Sequence, residues 1–183
     1  LTETTTIRAI AVKGDSLPSI ENSWEFIVLP VTEKPTSAHN SAVYTEPQEV
    51  ELVGAGILFT IDGSDPSVFG EPYTEPILVS ENTRIRAVSM KDGHLPSDEL
   101  DITIKIQAAV PTASPQPGTH TGNQIVFLTS TTEGSMIRYT TDGNTPTGNS
   151  MVFDPAEPII LRENAVIKAF TEKENMEPSA VVS

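Results

Sequence analysis

Cysteine is absent from all 183 residues, which excludes a disulfide framework, a thiol nucleophile and a cysteine-ligated zinc site. Aromatic residues are scarce, at 5% with a single Trp, so a sugar platform of exposed planar rings has little material. Basic residues are also few. Eleven Lys and Arg face 25 Asp and Glu, for a formal net charge of −14. The basic footprint required for nucleic acid or anionic lipid is therefore missing, and the acidic excess favours solubility and mutual repulsion. No apolar run approaches the roughly 20 residues that span a bilayer, so no membrane insertion is expected. No Gly-x-Ser-x-Gly elbow, phosphate loop or His-Glu-x-x-His is present, and no enzyme activity or cofactor is expected. No signal peptide is visible. The chain opens mid-pattern at "LTETTTIRAIAV", which leads us to expect a piece of a longer protein.

What is present reads almost entirely as strand. "WEFIV" and "ITIKI" alternate strictly, through Trp24, Phe26, Val28 and through Ile102, Ile104, Ile106. "ILFTI" places Ile57, Phe59 and Ile61 on one face, and "IRYTT" does the same for Ile137, Tyr139 and Thr141. A period of two marks half-buried strands. Fifteen prolines and eleven glycines leave no long helical window. Short strands with regular turn signals predict an all-β sandwich.

The sequence also repeats itself. "PTSAHNSAVYTEPQEVELV" from Pro35 matches "PTASPQPGTHTGNQIVFLT" from Pro111. Asp62-Gly63 recurs as Asp142-Gly143, and Glu75-Pro76-Ile77 as Glu157-Pro158-Ile159. A third motif appears three times, as "ETTTIRAIAVKGDSLPS", "ENTRIRAVSMKDGHLPS" and "ENAVIKAFTEKENMEPS". It aligns Ala9, Ala87 and Ala169, then Pro18-Ser19, Pro96-Ser97 and Pro178-Ser179. A period of about 80 residues is too long for a solenoid and suits one small β-sandwich per repeat. The expected organisation is the closing strands of one repeat over 1–29, a complete repeat over 30–107, and a second over 108–183 lacking much of its final strand. Two explanations of the incomplete repeats compete: the sequence is cut without regard to its repeats, or the leading strands of one molecule complete the last repeat of another by strand addition, a mode of self-association; the first is the leading expectation.

The motifs "YTEPQEVEL", "ILFTIDGSDP", "YTEPILV" and "TRIRAVSMKDGHLPS", with "HTGNQIVFL", "MIRYTTDGNTP" and "IKAFTEKENMEPS" in the last copy, carry a family resemblance. Together they resemble the C-terminal-type repeat of chitobiases and β-hexosaminidases, and the related Fn3-associated repeats of large bacterial surface proteins. The resemblance implies tandem immunoglobulin-like β-sandwiches, usually non-catalytic, in secreted or cell-surface bacterial proteins. It brings no catalytic residues, because the family's enzymes keep those in a separate domain. Two positions depart between copies: Phe59 stands where the last copy has Tyr139, and His120 where the middle copy has Tyr44.

Asp62 and Asp65 in "DGSD" offer two carboxylates to calcium, but that ion takes six to eight oxygens, and Asp65 becomes Thr145 in the other copy. The expected role of Asp62, Gly63 and Pro66, and of Asp142, Gly143 and Pro146, is a structural hairpin turn. Trp24 aligns with Ile102 and is expected in the core. Tyr44 and Tyr73 are expected to pack and to hydrogen-bond their hydroxyls. His39, His94 and His120 fall in turn-rich segments and read as solvated loop residues. Arg8, Arg86 and Lys168 share one repeat position and are expected to form cross-strand surface ion pairs with Glu. Ile10, Val88 and Phe170 follow the inward alanines and expose apolar spots if their face is solvent. The leading expectation for function is a structural spacer that positions neighbouring domains of its parent protein. A polysaccharide- or protein-binding accessory module is the alternative.

Overall fold

A computed structural model describes residues 3–183. In chain order it forms β1 (Thr5–Ala9), β2 (Asn22–Phe26), β3 (Thr36–Ser37), β4 (Ala42–Tyr44), β5 (Gln48–Val50), β6 (Leu52–Val53) and β7 (Ile57–Thr60). A four-residue helix, α1 (Pro66–Phe69), precedes β8 (Glu71–Pro72), β9 (Ile77–Val79), β10 (Thr83–Ser89) and β11 (Leu100–Ile106). The remaining strands are β12 (Thr112–Ser114), β13 (Gln124–Thr129), β14 (Met136–Thr140), β15 (Met151–Val152), β16 (Ile159–Leu161) and β17 (Lys168–Glu172). The fold is nearly all β, with several sheets.

The chain gathers into two compact units. The first comprises Leu1–Thr36, Leu52–Thr74 and Arg86–Asp101, and the second Ser37–Glu51, Glu75–Ile85 and Ile102–Ser183. In the first, β1 and β2 form an antiparallel hairpin with Ile7 opposite Trp24. Separately, β7 pairs with the end of β10, placing Phe59 opposite Ala87, and with β8. Leu52, Ile57, Ala87 and Val88 are buried there.

The second unit contains a clear sandwich. One sheet has the order β12-β13-β16 and the other β15-β14-β17. Both are antiparallel, with Val126 opposite Ile159 in one and Tyr139 opposite Ala169 in the other. Val126, Leu128 and Ile159 of the first sheet meet Ile137 and Ala169 of the second, with Phe153, in a single apolar cluster. Elsewhere in this unit β5 pairs with β9, burying Val50 and Val79, and β4 runs parallel to β11, with Ile104 opposite Ala42. Alternation along β11 buries Ile102, Ile104 and Ile106. Each such side chain contributes about 1.5–3 kcal/mol of burial free energy.

Several expectations need correction. Ile61 and Thr141 lie beyond the ends of β7 and β14, and Ile61 is exposed. Trp24 is 50% exposed and Phe26 47%: among the described residues β2 pairs with β1 alone, in a two-stranded sheet. Val88 and Phe170 are buried, at 4% and 7%, whereas Ile10 is exposed. Alternation fails at Ala87-Val88-Ser89 and Ala169-Phe170-Thr171, where three successive residues are buried. Both faces of β10 and β17 are covered there, so those residues expose no apolar spot.

Candidate functional site

The two Asp-Gly loops are built alike. Oδ1 of Asp62 accepts from the Ser64 amide (2.9 Å) and hydroxyl (2.6 Å), and Thr60 donates its hydroxyl to the Ser64 carbonyl (2.8 Å). In the second loop Asp142 accepts from the Asn144 amide (3.0 Å) and side-chain amide (2.7 Å), and Thr140 donates to the Asn144 carbonyl. The turns need positive φ at Gly63 (+83°) and Gly143 (+79°), a region glycine enters without steric cost. The hydroxyl of Ser64, then its amide, holds the Asp62 carboxyl below its ordinary value of 3.8. For Asp142 the amide of Asn144, then its side chain, does the same.

Asp65 stands apart from Asp62 in function. Its Oδ1 accepts from the Ser67 amide (2.8 Å), capping α1, with Pro66 opening the helix. The loop after β7 is thus an Asx turn followed by a capped helical turn. Pro146 follows the second Asx turn, where no helix forms. No group of three or more His, Asp or Glu able to hold a metal occurs among the described residues.

The triplicated motif has a shared geometry that the sequence reading left unassigned. Asp15, Gly93 and Asn175 all take positive φ, at +59°, +74° and +59°. They close turns in which the amides of Ser16, His94 and Met176 donate to the carbonyls of Lys13, Lys91 and Lys173. Asp, Gly and Asn are the residues that tolerate this left-handed region, and that rotation among them was the available signal. Four residues on, the hydroxyls of Ser19, Ser97 and Ser179 accept from the amides of Ala11, Ser89 and Thr171, each at 2.8 Å. The same hydroxyls donate to the carbonyls of Ile20, Asp98 and Ala180.

Two segments, around Val31 and around Gln107, are pinned in a matching way. In the first unit Val31 bridges Leu95 in parallel, with Thr32 N donating to Leu95 O (2.9 Å) and Leu95 N to Pro30 O (2.8 Å). In the second, Gln107 bridges Glu177, with Ala108 N donating to Glu177 O and Glu177 N to Ile106 O, both 2.8 Å. Side chains reinforce the second clamp. The Glu177 carboxylate pairs with Lys105 (2.9 Å) and accepts from Asn82 (3.3 Å), and Lys173 pairs with Glu81 (3.1 Å). Asn82 also accepts from Ile106 N (2.8 Å) and donates its own amide to Asn175 O (2.7 Å).

Arg86 is not a simple surface pair. Its guanidinium grips both Glu99 oxygens at 2.6 Å and donates to Gly63 O (2.8 Å), half-buried, thereby anchoring the first Asp-Gly turn. Arg8 pairs with Glu21 at 3.4 Å in the open. Lys168 makes no ion pair among the described residues.

Tyr73 and Tyr44 bond through their hydroxyls, the first accepting from Leu52 N (3.1 Å), the second donating to Asn40 O (3.2 Å). Phe59 meets Tyr73 edge-on at 6.0 Å, and Tyr139 meets Phe153 edge-on at 6.3 Å. The Phe/Tyr departure between copies is therefore an exchange within one aromatic pair. His39 lies against Gln48 and Tyr44, while His94 and His120 contact the Asp92 and Gln116 carbonyls. None is placed beside a nucleophile.

A groove of about 470 Å³ opens on the second unit. Its lips are Pro115–His120 and Ala165–Ala169, and its floor includes Val126, Leu128 and Leu161.

Comparison with known proteins accords with this geometry. The chitobiase/beta-hexosaminidase C-terminal domain family matches residues 39–100 and 115–183. An endoglucanase of Clostridium saccharobutylicum is 52% identical over 44 residues, which is 24% of this chain and 10% of that protein. The chain thus spans a small fraction of the relative it matches. The family match covers well over half of the sequence, and the chain belongs to the chitobiase/beta-hexosaminidase C-terminal domain family.

Proposed function

We propose that this chain is a non-catalytic spacer: tandem immunoglobulin-like repeats, over 30–107 and 108–183 with closing strands at 1–29, that hold neighbouring domains of a secreted or surface bacterial protein in place. The observation that carries this reading is the repeated linker clamp. Each linker is fixed by two backbone hydrogen bonds to the turn before a Pro-Ser pair. A segment held in this way does not swing as a solvated coil would. The side-chain latch around Glu177 and Asn82 adds to the fixity. The acidic surface keeps such modules from associating non-specifically. Hydrogen exchange at the amides of Thr32, Leu95, Ala108 and Glu177 tests the proposal. Protection approaching that of β10 and β11 is expected, and exchange at free-chain rates would refute it.

A second reading, an accessory module binding polysaccharide or protein, draws on one observation. Trp24 and Phe26 present half-exposed rings on β2. Retention on insoluble polysaccharide that is lost in Trp24→Ala would favour it over the spacer.

A further inference from the structure

The sequence contains three Asp-Gly pairs, at 62–63, 92–93 and 142–143, and the fold treats the middle one differently. An Asp-Gly bond is open to an internal reaction, because glycine has no side chain to hinder attack of its amide nitrogen on the preceding carboxyl carbon. Two things suppress that reaction: a carboxyl group tied down in hydrogen bonds, and an amide already donating its proton. At Asp62 and Asp142 each carboxylate accepts two hydrogen bonds from the residue two places on, and the Gly143 amide donates to Val166 O (2.9 Å). The same bonds hold both carboxyls below 3.8 and so deplete the neutral acid, the form that a nitrogen attacks.

Asp92-Gly93 has neither restraint. Among the described residues the Asp92 carboxylate accepts no hydrogen bond, and the Gly93 amide donates none. Its place in the turn explains this. In the other two copies of the motif the left-handed residue is Asp15 or Asn175, and the nitrogen after it, of Ser16 or Met176, closes the turn onto Lys13 O or Lys173 O. Here the left-handed residue is Gly93, the acid stands one place earlier, and the closing nitrogen is that of His94, donating to Lys91 O (3.1 Å). The nitrogen that follows the acid is left over. Asp92 and Gly93 are exposed, and no atom lies within 4 Å of where a Cβ on Gly93 would stand, so there is room for a ring to close. His94 adds a push. Its Nδ1 lies 3.1 Å from the Asp92 carbonyl oxygen, which can only accept, so Nδ1 carries the proton. A hydrogen bond to that oxygen draws electrons from the amide joining Asp92 to Gly93 and makes its N–H more acidic, which prepares the nitrogen for attack.

We propose that Asp92-Gly93 is a site of spontaneous covalent modification, where aspartate converts to isoaspartate with His94 as the promoting side chain. The bond from Gly93 N to Asp92 Cγ forms, and the amide proton and the carboxyl OH leave as water, closing a succinimide. Water then adds to one of the two ring carbonyls and breaks its bond to nitrogen. Breakage at Cγ returns aspartate. Breakage at the main-chain carbonyl carbon leaves residue 92 joined to Gly93 through Cγ, with a free α-carboxylate and no net change in mass. The β-carbon then lies in the main chain and lengthens the turn. Leu95, whose amide and carbonyl bond Pro30 and Thr32, follows closely, so the modification loosens that clamp.

The test ages the full chain at neutral pH, folded and in urea. Isoaspartate is counted with a protein isoaspartyl methyltransferase and a labelled methyl donor, then located by electron-transfer fragmentation of peptides. In the folded chain it should accumulate at residue 92 several-fold faster than at 62 or 142, and in urea the three should converge. His94→Ala should slow the folded-state reaction several-fold, and His94→Asn, whose side-chain amide reaches the same carbonyl, should restore most of it. Hydrogen exchange at the Leu95 and Thr32 amides should quicken with the modified fraction. Equal accumulation at the three pairs in the folded chain, or faster accumulation at 62 or 142, overturns the proposal. A rate unchanged by His94→Ala overturns the role of His94.

Discussion

Three serines make the same pair of hydrogen bonds at three depths, which sets up a graded test. Ser179 is buried, Ser97 half-buried and Ser19 exposed. Replacing Ser179 with Ala leaves the Thr171 amide without its 2.8 Å acceptor, inside a strand where Ala169, Phe170 and Thr171 are all buried. An orphaned buried donor costs about 1–3 kcal/mol. At Ser97 water reaches part of the site, and the loss should be nearer 1 kcal/mol. At Ser19 water replaces the hydroxyl, and the effect should stay within about 0.5 kcal/mol. Urea unfolding monitored in both units gives the global cost, without assuming one transition for two compact units. Hydrogen exchange at the amides of Thr171, Ser89 and Ala11 gives the local one. Equal costs at the three sites, or a larger cost at Ser19 than at Ser179, would refute the assignment of these bonds as burial-dependent clamps.

Other outcomes follow from neighbouring features. The Thr171 and Ser89 hydroxyls are buried without partners, so Thr171→Val should hold or raise stability by about 1–2 kcal/mol in the same unfolding assay. Asn175 takes positive φ, so Asn175→Gly should be tolerated while Asn175→Val lowers the unfolding free energy by about 1–2 kcal/mol. Asp62 and Asp142 have folded pKa values below 3.8, so their contribution to stability is present above that value and lost as pH falls through the lower folded pKa. Carbon-detected NMR titration should show both carboxyls titrating below 3.8, and ordinary values would contradict the Asx-turn geometry.

Much of the fold was legible because alternation is a local signal. β11 buries the isoleucines that the pattern of "ITIKI" points inward. The sequence copies also marked Asp62, Gly63, Asp142 and Gly143 as turn formers, and these four positions carry the Asx turns. Three things were not legible. Trp24 is apolar-facing by pattern but exposed, because whether a strand is covered depends on a second sheet, not on its own residues. Val88 and Phe170 are buried on the face that alternation assigns outward, for the converse reason. The α1 turn was missed although Asp65-Pro66 is a cap-and-start signal, since four residues give no helical period to read. The Pro-Ser pairs were visible as repeats, yet a hydroxyl's bonding partners eight residues back leave no trace in spacing alone.

The two clamps share a pair of main-chain hydrogen bonds, to which each adds side-chain bonds of its own: the Thr32 hydroxyl to the Leu95 carbonyl (2.8 Å) in one, and the Gln107 amide to the Pro178 carbonyl (3.0 Å) in the other. Leu95 and Glu177 occupy the same place, as do Val31 and Gln107, yet the main-chain bonds are the same. The main-chain pair of bonds tolerates a change of side chain at 31, 95, 107 and 177, whereas the Glu177 latch onto Lys105 and Asn82 depends on named side chains. The main-chain layer can therefore persist while residues 31, 95, 107 and 177 drift, whereas a change at Lys105, Asn82 or Glu177 dissolves the latch and leaves the path of the backbone in place.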